Sequence, residues 1–254
     1  MILFVFDGTF EGLLTSLFDA YFRRQFPDIL IREGEVLPLF YDDIHNVATD
    51  SEKSERVWRS LGKKLSTAAL SAVATSFLCE IKEYDTVLFR YLKKAVDSPV
   101  SIESDFGDPD VVEVTRMVRR VRFEASRLRQ FVRFQKAADG TYFGIVEPLY
   151  NVLAIAVNHF VDRFSTMRFL LYDKRRGFGY YYDGHEPTLV TLPEELPHIA
   201  TGQLADDMMD PEEKLYQDMW RTYFKATAIK ERANPRKQRQ DMPVRFWKYL
   251  TEKN

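Results

Sequence analysis

The feature that most constrains the fold is a change of hydrophobic period near residue 131. In the preceding segment, apolar residues recur every three or four positions, which is the spacing of one helix face. Beyond it, short segments alternate apolar and polar residues, with turn signals of Asp-Gly at 139–140 and Arg-Gly at 176–177. The pattern predicts an α+β protein with a mainly antiparallel sheet, formed by roughly residues 131–182 together with the N-terminal strand, and surrounding helices.

The chain opens with a strand–turn–helix pattern. Residues 2–6 form a short apolar run that fits a buried strand better than a helix. Asp7 ends the run, and Thr9 can cap the helical stripe that occupies residues 10–22. Two shorter apolar runs within residues 29–40 predict small strands. Because ligands of α/β proteins commonly bind at the carboxyl ends of strands, we expect Asp7 at the rim of a pocket.

The domain organisation is predicted to be simple. Three helical stripes fill residues 51–98, with Ser51 and Ser66 as expected N-caps, and residues 131–134 are expected to form a strand. We find no internal repeat, and 45% hydrophobic residues are enough for a sizeable core. The prediction is a single domain over residues 1–254, in which the helical block 51–98 is a candidate cap subdomain.

Composition excludes several classes of protein. A single cysteine, Cys79, rules out a disulfide framework, a cysteine-rich zinc site and a self-contained iron–sulfur cluster. No apolar run approaches the roughly 20 residues of a membrane span, and the first ten residues lack the basic start of a signal peptide. We therefore expect a cytoplasmic protein with no cofactor and no bound metal.

Charge is segregated along the chain, although the net charge is only −2. Residues 116–136 hold eight basic residues and one acid, and residues 221–254 hold ten and three, whereas residues 194–218 hold eight acids and one lysine. Arginine forks suit phosphates, and interleaved aromatic residues can stack on bases. The alternative is a solvated rim of arginines paired with the acids of the chain. The residues predicted to form one basic groove for nucleic acid are Arg116, Arg119, Arg120, Arg122, Arg127, Arg133, Arg221 and Arg245.

Four other residues are candidates for catalysis, although the sequence lacks a Gly-rich phosphate loop, a nucleophile elbow and a His-Glu-x-x-His motif. Asp7 could be a metal ligand or a general base, and His159 lies four residues before Arg163 on one predicted helix. Glu124 is the single acid of the segment 116–136. Each has a structural alternative: Asp7 can interact with a helix N-terminus, and Glu124 can pair with a neighbouring arginine.

Four segments of the chain resemble one bacterial family. They are residues 6–14 (FDGTFEGLL), 122–134 (beginning RFEASR), 147–164 (ending HFVDRF) and 220–247 (with WRTYF, ERANP and MPVRFW), so the resemblance spans nearly the whole chain. The family is the one labelled "probable DNA metabolism protein", a domain of unknown function.

The resemblance implies a role in DNA repair or modification. Members of the family resemble partners of a radical-SAM DNA repair or modification protein encoded next door, and a similar domain is elsewhere fused to a uracil-DNA-glycosylase-like domain. The Gly-Gln-Asp-Pro-Tyr type of glycosylase motif is absent from this chain. The expected partners are DNA, single-stranded DNA included, and a radical-SAM protein or a uracil-DNA-glycosylase-like protein, with no membrane. With one cysteine in this chain, any iron–sulfur chemistry belongs to the partner.

Three functions remain open at this point. The first is an accessory protein in DNA repair or modification that binds nucleic acid, a radical-SAM partner enzyme, or both. The second is an enzyme that acts on nucleic acid or nucleotide with a carboxylate and histidine site. The third is a docking scaffold without DNA affinity, with the acidic segment 194–218 as its binding surface.

Overall fold

A computed structural model of the chain describes residues 1–193 and 195–253, and only the backbone of Lys230. Helices hold 49% of the residues and strands hold 14%, which confirms the predicted α+β class. Contacts between Cα atoms divide the chain into two compact units, Met1–Arg122 and Phe123–Asn254. The single domain over residues 1–254 stays a prediction.

The first unit is built on a parallel sheet. Its strands, in the order β2-β1-β3, are β1 (Ile2–Phe6), β2 (Ile29–Arg32) and β3 (Asp43–Asn46). The apolar run at the start of the chain is thus the central strand of its own sheet and does not join the one predicted over residues 131–182. The second strand predicted within residues 29–40 is wrong, because Val36 and Leu39 are 95% and 92% exposed and pair with no strand of the described chain.

The helix α1 (Phe10–Arg23) follows β1 as predicted. Thr9 is its N-cap, and the Thr9 hydroxyl accepts a hydrogen bond from the backbone N–H of Gly12 at 2.9 Å. Leu13 and Leu17 belong to the buried face of the helix. Because β1 lies between β2 and β3, the two later strands pair with opposite edges of the central strand. In open sheets of parallel strands, such a change of side commonly marks the edge where ligands bind.

Helices fill residues 51–98 as predicted, with one cap reassigned. They are α2 (Ser51–Leu61), α3 (Thr67–Phe77) and α4 (Lys82–Asp97). Ser66 caps α3 as expected, but Asp50, and not Ser51, caps α2 by accepting a hydrogen bond from the backbone N–H of Lys53. Within the unit, α2 packs against α1, and α4 packs against β2.

The helix α5 (Pro109–Phe131) is longer than expected, so the strand predicted over residues 131–134 is wrong. Two carbonyl groups at the end of α5 are satisfied by the Arg133 side chain, which donates to the oxygens of Gln130 and Val132 at 3.1 and 3.0 Å. The Phe134 ring packs against other aromatic rings, 5.7 Å from that of Phe160. The two carbonyl groups therefore have hydrogen-bond donors, and the Phe134 ring has packing partners, without a neighbouring strand.

The second unit contains a five-stranded sheet. Its strands, in spatial order, are β4 (Gln135–Lys136), β5 (Tyr142–Val146), β6 (Phe169–Asp173), β7 (Phe178–Tyr182) and β8 (Pro187–Val190). The described pairings are antiparallel except between β5 and β6, which run parallel and are joined by α6 (Leu153–Arg163). The hairpin around Arg176 and Gly177 forms as predicted, whereas the hairpin around Asp139 and Gly140 uses Gln135–Lys136 and not the predicted residues 131–134. The parallel pair is the departure, because a helix connects its strands.

Short helices complete the second unit. They are α7 (Pro197–Thr201), α8 (Glu213–Thr227) and α9 (Pro235–Asp241), followed by 3-10 turns at Val244–Tyr249 and Thr251–Lys253. Pro235 opens α9 as expected from its fixed backbone angle, and Phe246 and Leu250 are buried. No helix in the described part of the chain combines the length and the apolar character that crossing a membrane requires.

Candidate functional site

The arginines of α5 that belong to the first unit differ in their partners. Arg116 forms an ion pair with Glu113 at 3.0 Å, and Arg120 lies over the ring of Tyr84. Arg119 and Arg122 are exposed and make no hydrogen bond or ion pair with any residue that the structure describes. Two guanidinium groups on consecutive turns of one helix are therefore uncompensated.

An exposed aromatic residue lies on the part of α5 that belongs to the second unit. Phe123 is 56% exposed, and the guanidinium carbon of Arg127 lies 4.1 Å from the centre of its ring. Phe123 and Arg127 are four residues apart, so they lie on one face of the helix. The face combines a cationic fork with a flat apolar surface.

The remaining predicted groove residues are engaged within the second unit. Arg133 pairs with Glu252 at 2.6 Å, and Arg221 pairs with Asp218 at 2.8 Å. Arg127 donates to the backbone oxygen of Gln240 at 3.2 Å, while Arg245 pairs with Glu124. Three of these contacts, together with that of Arg116, match the structural alternative of arginines paired with acids. The proposal that all eight line one groove stays a prediction.

Glu124 is committed to local structure. The side chain is only 2% exposed, and it accepts a hydrogen bond from the backbone N–H of Leu149 at 2.9 Å besides the one from Arg245. The Nε atoms of Arg127 and Arg245 are buried without a partner among the described residues. Burial, and then the charge of Arg245, lowers the pKa of Arg127. A carboxylate held in this way is poorly placed for acid–base chemistry on a ligand.

The other catalytic candidates lie in different settings. Asp7 belongs to the first unit and is exposed. Its carboxylate accepts hydrogen bonds from the backbone and side chain of Thr9 at 2.9 and 2.7 Å and from the Thr49 hydroxyl at 2.8 Å. Partial burial opposes ionisation of Asp7, but these hydrogen bonds outweigh it and lower its pKa. Asp7 thus organises the turn between β1 and α1, and it lines neither of the pockets described below.

His159 and Arg163 are both exposed on α6 in the second unit. The His159 ring lies 5.4 Å from that of Phe160, edge to face. Arg163 has no hydrogen-bond or ion-pair partner within the described ranges. Among the described residues, neither side chain forms a hydrogen bond or an ion pair with Glu124, and the predicted carboxylate and histidine site stays a prediction.

A pocket that the sequence analysis missed lies in the second unit. Two adjoining cavities, of about 280 and 550 Å³, share Arg133, Phe134 and Phe164 as their common wall. Tyr142 and Phe169 line the smaller cavity, and the larger one is lined by residues that include Arg163, Tyr216 and Trp220. A signal existed in the repeated Arg-Phe pairs at 133–134 and 163–164, but only the fold shows that they meet.

Two observations concern possible metal-binding side chains and the cysteine thiol. In residues 1–193 and 195–253, no group of three histidine, cysteine, aspartate or glutamate side chains is close enough together to hold a metal ion. Burial raises the pKa of the Cys79 thiol to about 11, and the residue is 1% exposed. A thiol with so little thiolate character is a poor nucleophile.

Comparison with protein-family models matches residues 82–252 to the family described as "Domain of unknown function (DUF4130)". The chain belongs to this family. The DUF4130 match begins at the first residue of α4 and includes both α5 and the aromatic pocket, whereas Asp7 precedes it. No curated protein and no solved structure matches the chain.

Proposed function

We propose that this DUF4130 protein is an accessory protein in DNA repair or modification that binds nucleic acid. The observation that carries the proposal is the pair of exposed, uncompensated arginines, Arg119 and Arg122, on α5. The setting in DNA metabolism and the radical-SAM partner rest on the resemblance of the four sequence segments.

Uncompensated arginines on a near-neutral protein favour a polyanionic partner. An exposed arginine on an ordinary protein surface commonly finds an acid one helical turn away, as Arg116 finds Glu113. Arg119 and Arg122 leave their forks available for phosphate oxygens, which accept two parallel hydrogen bonds from one guanidinium. A stacking surface beside such forks is the combination that single-stranded nucleic acid uses.

A second exposed basic segment adds to the positive surface of the protein. It runs through the end of α8 and through α9, where almost every described side chain is exposed. The side chains of four exposed basic residues have no hydrogen-bond or ion-pair partner among the described residues: Lys225, Arg232, Arg236 and Arg239. The acidic segment that balances this charge runs over residues 194–218, of which Glu194 lies outside the described residues.

Binding of a fluorescent single-stranded DNA, followed by anisotropy at several salt concentrations, tests the proposal. We expect salt-dependent binding whose log–log slope falls by about 0.7 for each phosphate contact that is lost. Replacing Arg119 and Arg122 by Ala should flatten the slope by about one to two contacts and leave the melting temperature almost unchanged. The matched control is Arg59→Ala with Lys63→Ala, which removes two exposed charges from α2 and the turn after it.

Two results would contradict the role of Arg119 and Arg122, and the first of them would also reject nucleic-acid binding. One is the absence of binding at low salt. The other is a double variant of Arg119 and Arg122 that binds like the unaltered protein, or no more weakly than the α2 control. In either case the arginines are a solvated helix face without a nucleic-acid partner.

A second candidate function, docking of a protein partner, is favoured by the surface of α8. Leu215, Tyr216, Met219 and Tyr223 are each more than half exposed, and their spacing places them along one stripe of the helix. Exposed apolar stripes of this kind commonly mark protein interfaces. Co-elution with the neighbouring radical-SAM protein, lost in Leu215→Ser with Met219→Ser, would support docking, and unchanged co-elution would exclude this stripe.

A further inference from the structure

We infer that the aromatic pocket of the second unit, with Arg133, Phe134 and Phe164 as its shared wall, takes one unpaired nucleic-acid base. Its two cavities, of about 280 and 550 Å³, together fall within the size range of small-molecule sites. The inference rests on the proposed function, since it names what part of a nucleic acid enters which site.

The aromatic walls are fixed by their neighbours. The Phe134 ring lies 5.7 Å from the rings of both Phe160 and Phe164 in edge-to-face contact, and 5.8 Å from the ring of Phe169. Phe134 and Phe164 are each only half-buried, so part of each ring faces the cavity. A base that stacks on such rings costs the protein little ordering entropy.

The charges around the pocket favour an uncharged base inside it. Arg133 is neutralised by Glu252, and its guanidinium lies 5.7 Å from the ring of Trp220. Glu213, which also lines the larger cavity, is buried and is held by the backbone N–H of Lys136 at 3.0 Å. Because the Arg133–Glu252 pair carries no net charge, the Glu213 carboxylate leaves this wall negative, and a phosphate would be repelled from it.

Arg163 favours a negatively charged group at the larger cavity. It is exposed, lines that cavity and has no hydrogen-bond or ion-pair partner in the described part of the chain. Its fork is therefore available for the phosphate of the nucleotide whose base enters the pocket. An apolar peptide side chain would use the rings but would leave this cation unused, so the charge pattern favours a nucleotide.

The test uses 2-aminopurine, a fluorescent base whose emission is quenched when it stacks on aromatic rings. Two probes are titrated with the full chain: a single-stranded oligonucleotide with one central 2-aminopurine, and the free 2-aminopurine deoxynucleoside monophosphate. We expect saturable quenching with both. Phe164→Ala should weaken binding about fivefold or more, since one base stacked on one aromatic residue contributes at least that much.

Two further variants separate the contribution of the pocket from that of folding and of general charge. Arg163→Glu changes an exposed residue and leaves the aromatic rings in place, so it keeps the fold. It should weaken the binding of both probes. Its matched control is Arg129→Glu, an exposed arginine that bonds only within its own helix, to the oxygen of Ala125. Phe178→Ala, a half-buried ring in the β6–β7 hairpin, is the control for Phe164→Ala.

The outcomes distinguish the pocket from the proposed function. Quenching of the mononucleotide that is lost in Phe164→Ala and Arg163→Glu, but kept in both controls, supports the pocket even if longer DNA does not bind. DNA binding by anisotropy without quenching of either probe overturns the pocket and leaves the proposed function standing. Quenching that survives both pocket variants also overturns it.

Discussion

Removal of Arg245 should destabilise the protein, because it leaves a carboxylate buried without its counter-charge. The Glu124 side chain is 2% exposed, whereas that of Arg245 keeps 27% of its surface in solvent. Breaking a buried ion pair by removing one partner costs about 3–5 kcal/mol. Two features place the cost of Arg245→Ala at the lower end of this range. The guanidinium is partly exposed, and its loss removes the repulsion between its charge and that of Arg127.

We therefore expect Arg245→Ala to lower the free energy of unfolding by about 3 kcal/mol. For a unit of this size that corresponds to a fall in melting temperature of roughly 6–12 °C. The assay is urea unfolding followed by circular dichroism, together with a thermal melt. Arg119→Ala is the matched control, since an exposed arginine without a partner should change stability by less than about 0.5 kcal/mol.

A double variant tests whether the cost comes from the unpaired charge. In Glu124→Gln with Arg245→Met both charges are gone, and the amide oxygen introduced by the first substitution would still accept the hydrogen bond from the backbone N–H of Leu149. Replacing a buried pair by neutral groups of similar volume is often close to neutral. The double variant should therefore be more stable than Arg245→Ala. The reasoning is refuted if Arg245→Ala lies within about 1 kcal/mol of the unaltered protein, or if the double variant is no more stable.

Gly12→Ala should destabilise the first unit by about 1–3 kcal/mol, because an added Cβ would lie 2.2 Å from Oδ1 of Asp7; thermal melts measure the loss. A pH dependence is expected from Asp19, which bonds His45 and Lys53, each at 2.9 Å. Burial opposes ionisation of Asp19, but these two partners outweigh it and lower its pKa. Its contribution to stability is complete above the ordinary pKa of 3.8 and is lost as the pH falls below that value. Urea unfolding across this pH range should thus show a smaller decline in the free energy of unfolding for Asp19→Asn than for the unaltered protein.

Each of these two predictions has a matched control. Gly62→Ala should be close to neutral, since the nearest atoms to its added Cβ lie at 3.6 Å, in ordinary contact. Glu52→Gln removes an exposed carboxylate from the same unit as Asp19 and should leave the acid slope unchanged. Equal melting temperatures for the two glycine variants, or equal acid slopes for Asp19→Asn and the unaltered protein, would contradict the respective prediction.

Elements with a strong local signal could be predicted from the sequence. The strand over residues 2–6, the Thr9 cap and the Asp-Gly turn at 139–140 all form as expected. Each has a signal in residues close in the chain: a short continuous apolar run, a hydroxyl that accepts a nearby N–H, and a glycine whose φ of 82° suits the turn. The basic character of α5 was likewise visible in the sequence.

Segments whose state depends on distant partners could not be predicted. The alternation at residues 131–134 is compatible with a strand, but Phe134 packs among rings of α6 and β6 instead. The run Val36–Phe40 is apolar enough for a strand, yet β3 begins later, where Ile44 and His45 pair with β1. Alternation of apolar residues indicates that one side of a segment can be buried. The residues packed against that segment decide whether it forms a strand.

The same division holds for the candidate site. The sequence by itself determined how many arginines the chain carries, their helical spacing and the aromatic residues beside them. Only the tertiary structure decided which are neutralised, because Glu124 reaches Arg245 across 121 residues and Arg133 reaches Glu252 across 119. Ionic attraction depends on distance in space and on burial, and neither is encoded in the spacing of residues along the chain. For the same reason, the meeting of Arg133 and Arg163 at one aromatic pocket became visible only in the folded protein.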